Sequence, residues 1–174
     1  MLVMKPDEMS RRLGRGINLG NALDTGGEGG SRFWLREQNF ADVREAGFNT
    51  VRLPVRWSAH ADESWPYTID SDFSTRVDWA IGNALARDLN VVLNVHHYHE
   101  LQNAPRAHQA RFVALWEQIS ARYADRCARL YFELLNEPRE ALTAEVWNGL
   151  LADALAAVRV RNPDRGYGAW SSSA

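Results

Sequence analysis

Four short apolar runs, each closing on polar residues, alternate along this chain with stretches whose apolar positions recur at helical spacing. The runs are Ile17-Asn18-Leu19-Gly20-Asn21-Ala22-Leu23, Thr50-Val51-Arg52-Leu53-Pro54-Val55, Val91-Val92-Leu93-Asn94-Val95-His96-His97 and Leu130-Tyr131-Phe132-Glu133-Leu134-Leu135-Asn136-Glu137. Near-continuous apolar runs of this length predict strands buried on both faces, near 17–23, 50–55, 91–97 and 130–137. Between and after them, four helices are expected. The first spans about Leu35 to Ala46 with Phe40, Val43 and Ala46 on one face, and Gly47 stops it. The second carries Phe73, Val77, Ala80, Ile81, Ala84 and Leu85 behind a cap at Asp70, Ser71 or Asp72. Phe112, Leu115, Trp116, Ile119 and Tyr123 write the third. Thr143 caps the fourth, which carries Val146, Leu150, Leu151, Ala154, Leu155 and Val158.

The strands open near residues 17, 50, 91 and 130, a recurrence of 33 to 41 residues with a helix after each. Repeated strand-helix units imply a parallel sheet, because each crossover returns the chain to the same end. Residues 1–174 are therefore expected to form one α/β domain. Where the four strands end, polar groups gather: Asn21, Arg52, His96, His97, Asn136 and Glu137. In parallel α/β folds that carboxyl end carries the chemistry. Glu137, before Pro138, is on its own no more than the start of a loop. The agreement of four strand ends gives it a chemical role.

Composition narrows the class. The chain has 174 residues, 45% of them hydrophobic and 24% charged, enough to bury a core. Its net charge is -2, from 20 basic and 22 acidic residues with no basic block, so nucleic acid and anionic membrane are not expected partners. A neutral substrate fits. Cys127 is the sole cysteine, which excludes an internal disulfide and thiolate zinc motifs and leaves it to pack as a small apolar residue. The opening Met1-Leu2-Val3-Met4-Lys5-Pro6 lacks the pattern of a signal peptide, and no run suits a membrane span, so a cytoplasmic location is the default. Seven tryptophans suit sugar rings or a helix-sheet core, with packing expected for most. The glycines around 26–30 predict a flexible loop, and residues 166–174 a flexible tail.

The segments Gly16-Ile17-Asn18-Leu19-Gly20-Asn21, Gly47 to Trp57, Val91 to Tyr98 and Phe132 to Pro138 together resemble glycoside hydrolase family five, the cellulase and mannanase family. The resemblance runs over about residues 11 to 165 and covers the first half of the family's (β/α)8 TIM barrel. It implies the first four βα units of that barrel, no cofactor, and retaining hydrolysis of β-1,4-linked glucan, with mannan or xyloglucan as related substrates. By this likeness Glu137 matches the acid/base, and Asn136 the residue that hydrogen-bonds the 2-hydroxyl of the sugar being cleaved. Arg52 matches the arginine that steadies the nucleophile, and His96 the strand-three histidine. Asn21 and His97 match residues lining the glycone side, and Asp24 stands where close relatives often carry glutamate.

Strand alternation adds detail that the resemblance does not supply. It places Glu133, Leu135 and Glu137 on one face of their strand and Arg52 with Pro54 on one face of strand two; if both faces point into the barrel, Arg52 and Glu133 can neutralise each other as an ion pair. Glu137 has to be protonated to act as an acid, which calls for apolar walls or a second carboxylate nearby. Retaining enzymes hold their two carboxyls about 5 to 5.5 Å apart. Glu133, four residues back along a strand, lies about 13 Å away and is excluded as the partner. Asn136 and Glu137 point opposite ways on a regular strand, so both reach a substrate only if the strand end is irregular.

The family's nucleophile ends strand seven, which this chain does not contain. A typical barrel needs about 250 residues. Strands one and four are then expected to be unpaired edges through which the half-barrel self-associates, with weak or no turnover. Two further readings stand beside the glycosidase. One is a sugar-binding half-barrel without catalysis. The other is a metal hydrolase using His96, His97 and His99, aided by His60 or His108, although no later cluster completes its shell.

Overall fold

A computed structural model describes residues 6–25 and 33–168. The glycine loop and residues 169–174 of the expected tail lie outside them. The described chain runs α1 (Pro6–Leu13), β1 (Gly16–Asn18), α2 (Glu37–Glu45), β2 (Thr50–Leu53), α3 (Ser71–Leu85), β3 (Asn90–Asn94), α4 (His99–Asn103), α5 (Pro105–Arg122), β4 (Leu130–Glu133), α6 (Ala144–Arg161) and β5 (Tyr167–Gly168), with a short 3-10 turn at Trp57–His60. The strands lie in chain order and every neighbouring pair is parallel. This is the βα repeat written in the sequence, and it makes an α/β partial barrel.

Alternation along the strands divides the sheet. Val51, Leu53, Val91, Leu93, Leu130 and Phe132 are all fully buried. They meet a helical layer in which Phe40, Val77, Ile81, Phe112, Trp116 and Trp147 are buried as well. The other face carries Asn18, Arg52, Asn94 and Glu133, a polar layer on the inside of the barrel's curve. Helix ends follow local chemistry. Asp70 accepts from the Phe73 amide at 2.7 Å and starts α3, Thr143 accepts from Val146 at 3.4 Å and starts α6, and Pro105 opens α5 where a missing N–H costs nothing.

Several expectations are corrected. Each of the first four strands is shorter than its apolar run, and at the ends of β3 and β4 side chains take backbone carbonyls. Trp57 Nε1 donates to the Asn94 carbonyl and Trp116 Nε1 to the Leu134 carbonyl, both at 3.0 Å. Strand β4 is not an edge: it pairs with β5 at Phe132↔Tyr167 and Glu133↔Gly168. Tyr167 and Gly168, within the segment expected to be a flexible tail from 166, therefore enter the sheet. Gly166 makes the approach possible, since a Cβ there would come within 2.6 Å of Tyr131 Cδ1. Cys127 is exposed rather than packed, on the turn before β4. Trp57, Trp116 and Trp147 are core residues, whereas Trp34 and Trp65 are 51% and 82% exposed. No described helix is long and apolar enough to cross a membrane.

Candidate active site

The carboxyl ends of β1 to β4 meet in one hydrogen-bonded group. Arg52 lies at its centre. Its Nε and Nη2 donate to the two carboxylate oxygens of Glu133, each at 2.6 Å, in the two-pronged geometry that suits a planar guanidinium. Nη1 donates to Asn18 Oδ1 at 2.8 Å, and Nη2 also reaches Asn136 Oδ1 at 2.8 Å. The ion pair expected from strand alternation is therefore present, and it orients Asn136. Register explains the reach: Asn18 lies opposite Arg52 across β1 and β2, and Asn94 opposite Glu133 across β3 and β4.

Beyond the ladder the chain leaves the sheet but stays tied to it. The His96 amide donates to the Val55 carbonyl at 2.8 Å, and the Asn136 amide to the Val95 carbonyl at 2.9 Å. Three of the residues singled out from sequence then take left-handed backbone conformations: Asn21 (φ 60°), His97 (φ 51°) and Glu137 (φ 43°). Such values are uncommon outside glycine and gather at functional sites. At Glu137 this turn makes the strand end irregular, as expected. Gln102, buried on α4, holds this turn by donating to the Glu137 carbonyl at 3.2 Å.

Asp24, His96 and His97 form a second cluster. The Asp24 carboxylate accepts from the Ala22 amide at 3.0 Å and presents Oδ2 to Nε2 of His96 at 4.0 Å and of His97 at 3.8 Å. Burial pushes the His96 ring down to about 4, helped by the positive charge of His97 and Arg52 and opposed by Asp24 and Glu133. His97 is lowered by burial too, against Asp24. Both rings are thus held toward the neutral form. Among the described residues, Asp24, His96 and His97 are the group whose potential ligand atoms all lie within 4.8 Å of one another. His99 is not in it. His60 stacks on Phe73 with ring centroids 3.6 Å apart, and His108 meets the edge of Tyr98.

Glu137 differs from these neighbours. Its side chain is 72% exposed, and its charged contact is Arg139, with 4.0 Å between Nη1 and Oε2. The apolar walls expected around it are not formed by the described residues. Two buried polar residues, Asn94 and Gln102, belong to the site without having been singled out. Asn94 was visible as an amide inside an otherwise apolar strand. Gln102 left no such mark, since it lies on a five-residue helix with little pattern.

Residues 20–167 match the family model described as Cellulase (glycosyl hydrolase family 5). The chain is 36% identical over 171 residues to endoglucanase H of Acetivibrio thermocellus, an alignment covering 96% of this chain and 19% of that one. It is 46% identical to the crystal structure of an endoglucanase from the hyperthermophile Thermotoga maritima, with a TM-score of 0.94 over 97% of this chain and 54% of that one. That enzyme has also been solved in complex with mannotriose, where identity is again 46% and the TM-score 0.93, over 96% of this chain and 54% of that one. The 174 residues thus span about half of the solved relative and a smaller share of the curated one.

Proposed function

This chain belongs to glycosyl hydrolase family 5, the cellulase family, and from that membership we propose that its residues form the acid/base and glycone half of an endo-β-1,4-glucanase site. Glu137 is the acid/base. Asn136 binds the 2-hydroxyl of the sugar being cleaved, Arg52 steadies the nucleophilic carboxylate, and His96 faces the same sugar. Asn21, His97 and Asp24 line the glycone side. The observation that supports this most directly is the bond from Arg52 Nη2 to Asn136 Oδ1, 2.8 Å, which fixes the amide beside Glu137 before any sugar arrives.

In a retaining reaction Glu137 gives its proton to the glycosidic oxygen as a carboxylate on the opposite side attacks the anomeric carbon. Glu137 then takes a proton from the water that hydrolyses the glycosyl intermediate. In the family the attacking carboxylate ends strand seven. The five strands described here do not extend that far, so turnover by these residues alone is weak or absent, and a sugar-binding half-barrel is the second reading. The solvent-open position of Glu137, at 72% exposure, favours that second reading for the isolated chain. The substrate is a β-1,4-glucan, with mannan the alternative suggested by the mannotriose complex of the Thermotoga maritima enzyme. The edges at β1 and β5 are the surfaces through which two copies would associate.

Incubating the chain with cellopentaose tests the two readings. Release of reducing sugar that disappears in Glu137→Gln supports the glycosidase. Binding of cellobiose without release supports the second reading, and neither binding nor release overturns both. Gel filtration that gives a monomer at all concentrations rejects the edge association.

A further inference from the structure

Asn94 is fully buried on β3, between the Arg52–Glu133 pair and His96, and its amide has only one orientation open to it. Its Oδ1 faces the Val55 backbone amide at 3.3 Å, a group that can only donate. Its Nδ2 lies 3.3 Å from Glu133 Oε1, a carboxylate oxygen that also accepts from Arg52 Nη2 and has no hydrogen to donate. Both ends therefore require the oxygen toward Val55 and the nitrogen toward Glu133. The second hydrogen on Nδ2 then points at His96 Nδ1, 3.2 Å away. A protonated Nδ1 would set two donors against each other.

We infer that Asn94 is a positioning residue that locks His96 as the Nε2–H tautomer, so that His96 presents a fixed hydrogen-bond donor to the sugar cleft. Three consequences follow from one amide. The imidazolium form is disfavoured, because it requires hydrogen on both nitrogens, and this agrees with the downward displacement that burial gives the ring. The Nε2–H points toward Asp24 Oδ2, 4.0 Å away, leaving space in which a hydroxyl can accept from the ring and donate to the carboxylate. Metal binding is opposed as well. Asp24 Oδ2 lies 4.0 and 3.8 Å from the two histidine Nε2 atoms, near the roughly 3.4 Å between ligands of a tetrahedral zinc ion. A metal on Nε2 would nevertheless move the His96 proton to Nδ1, against the Asn94 N–H. A cluster that passes for a metal site by spacing is thereby kept as a site for hydroxyl groups. The use of this donor on a sugar rests on the function proposed above, whereas the tautomer does not.

The test is long-range 1H–15N correlation on the 15N-histidine-labelled chain at pH 7, with the His96 signals assigned by their loss in His96→Gln. The expected spectrum has Nε2 protonated and Nδ1 bare. A protonated Nδ1, or a rapidly averaging mixture, overturns the inference, whether or not added cellobiose binds. Failure of cellobiose to shift the Nε2–H signal counts against the proposed function and leaves the tautomer result standing. Zinc titration gives a second reading that does not depend on activity. In Asn94→Asp the new carboxylate accepts the Nδ1 proton and frees the Nε2 lone pair, so zinc should bind about 10- to 100-fold more tightly than to the parent chain. Equal zinc affinity in parent and variant overturns the inference. If Asn94→Asp does not fold, the spectrum of the parent chain decides alone.

Discussion

Two arginine-glutamate pairs stand at the end of β4, and they are built in opposite ways. Arg52 on β2 and Glu133 on β4 meet across β3 through two 2.6 Å hydrogen bonds, which leave the Glu133 side chain 5% exposed. Arg139 and Glu137 lie on the loop beyond, touch at 4.0 Å, and are 53% and 72% exposed. The first pair is fixed by strand register. The second is set by a left-handed turn and by the Gln102 contact to its backbone. The groups proposed to orient a substrate are thus held in a fixed frame, while Glu137, the group proposed to transfer the proton, stands exposed at its edge. Charge pairing stabilises in the first place and has little to do with stability in the second.

The largest effect is expected from breaking the buried pair. Glu133→Ala leaves the Arg52 guanidinium in the interior without its carboxylate and removes the acceptor of one Asn94 hydrogen. A loss of about 3 kcal/mol is expected, the lower end of the range for a broken buried pair because Arg52 keeps some solvent contact. Urea denaturation checks it: the midpoint should fall with an unchanged slope. A midpoint within error of the parent would mean that the two pairs do not differ energetically.

Glu137→Gln turns the comparison round. Stability should not change, because the carboxylate is open to water. Any hydrolysis of cello-oligosaccharide should fall by about 10²- to 10⁴-fold, the usual contribution of a positioned acid or base. Reducing-sugar assays and the same urea titration measure both halves. A destabilised Glu137→Gln with unaltered activity would exchange the roles of the two glutamates.

The contrast between the pairs also separates what could be read from sequence from what could not. Parallel strands and the shared faces behind the Arg52–Glu133 pair followed from apolar runs and two-residue alternation, whereas the strand order and the inward direction of those faces came from the barrel resemblance. The early strand ends did not follow. Leu134 and Leu135 are as apolar as Tyr131 and Phe132, yet they lie past the end of β4, where Trp116, eighteen residues earlier, donates to the Leu134 carbonyl. Strand β5 was missed because its two residues carry no periodicity and their pairing relies on Gly166 fitting against Tyr131. The positive φ of Asn21, His97 and Glu137 was equally hidden, since it is imposed by the loops around them. Asn94 was legible as an oddity within an apolar run, though the fixing of its amide requires three partners, Val55, His96 and Glu133, that the run does not show.

A smaller effect is expected from pH, and it originates in the buried part of the site. His96 titrates near 6.5 when unfolded and at about 4 when folded, so between those values the unfolded chain binds the extra proton. Stability is therefore complete above about pH 6.5 and falls as the pH is lowered toward 4. The lowered His97 adds in the same direction. The full linkage value is reduced by solvent screening to a loss of about 2 kcal/mol across the window. Urea midpoints at a series of pH values should show this slope in the parent chain and a shallower one in His96→Gln. Parallel slopes in the two proteins would place the titration elsewhere.

The smallest effect tests the exposed pair directly. In Arg139→Ala the 4.0 Å contact to Glu137 is lost, together with a long 3.4 Å hydrogen bond from Arg139 Nε to Gln102 Oε1. Both partners of the ion pair are more than half exposed, so water replaces the guanidinium at either end, and stability should change by no more than about 0.5 kcal/mol. The Gln102 side chain keeps its bond to the Glu137 carbonyl, and the Ala141 amide keeps the Gln102 carbonyl at 3.0 Å. The turn therefore retains its shape without Arg139. Added salt should leave the small difference between parent and variant smaller still, since an exposed pair is screened within about 10 Å at 0.1 M. A loss above 1 kcal/mol, or one that persists in high salt, would show that Arg139 anchors the Glu137 turn and that the two arginines are more alike than their exposure suggests.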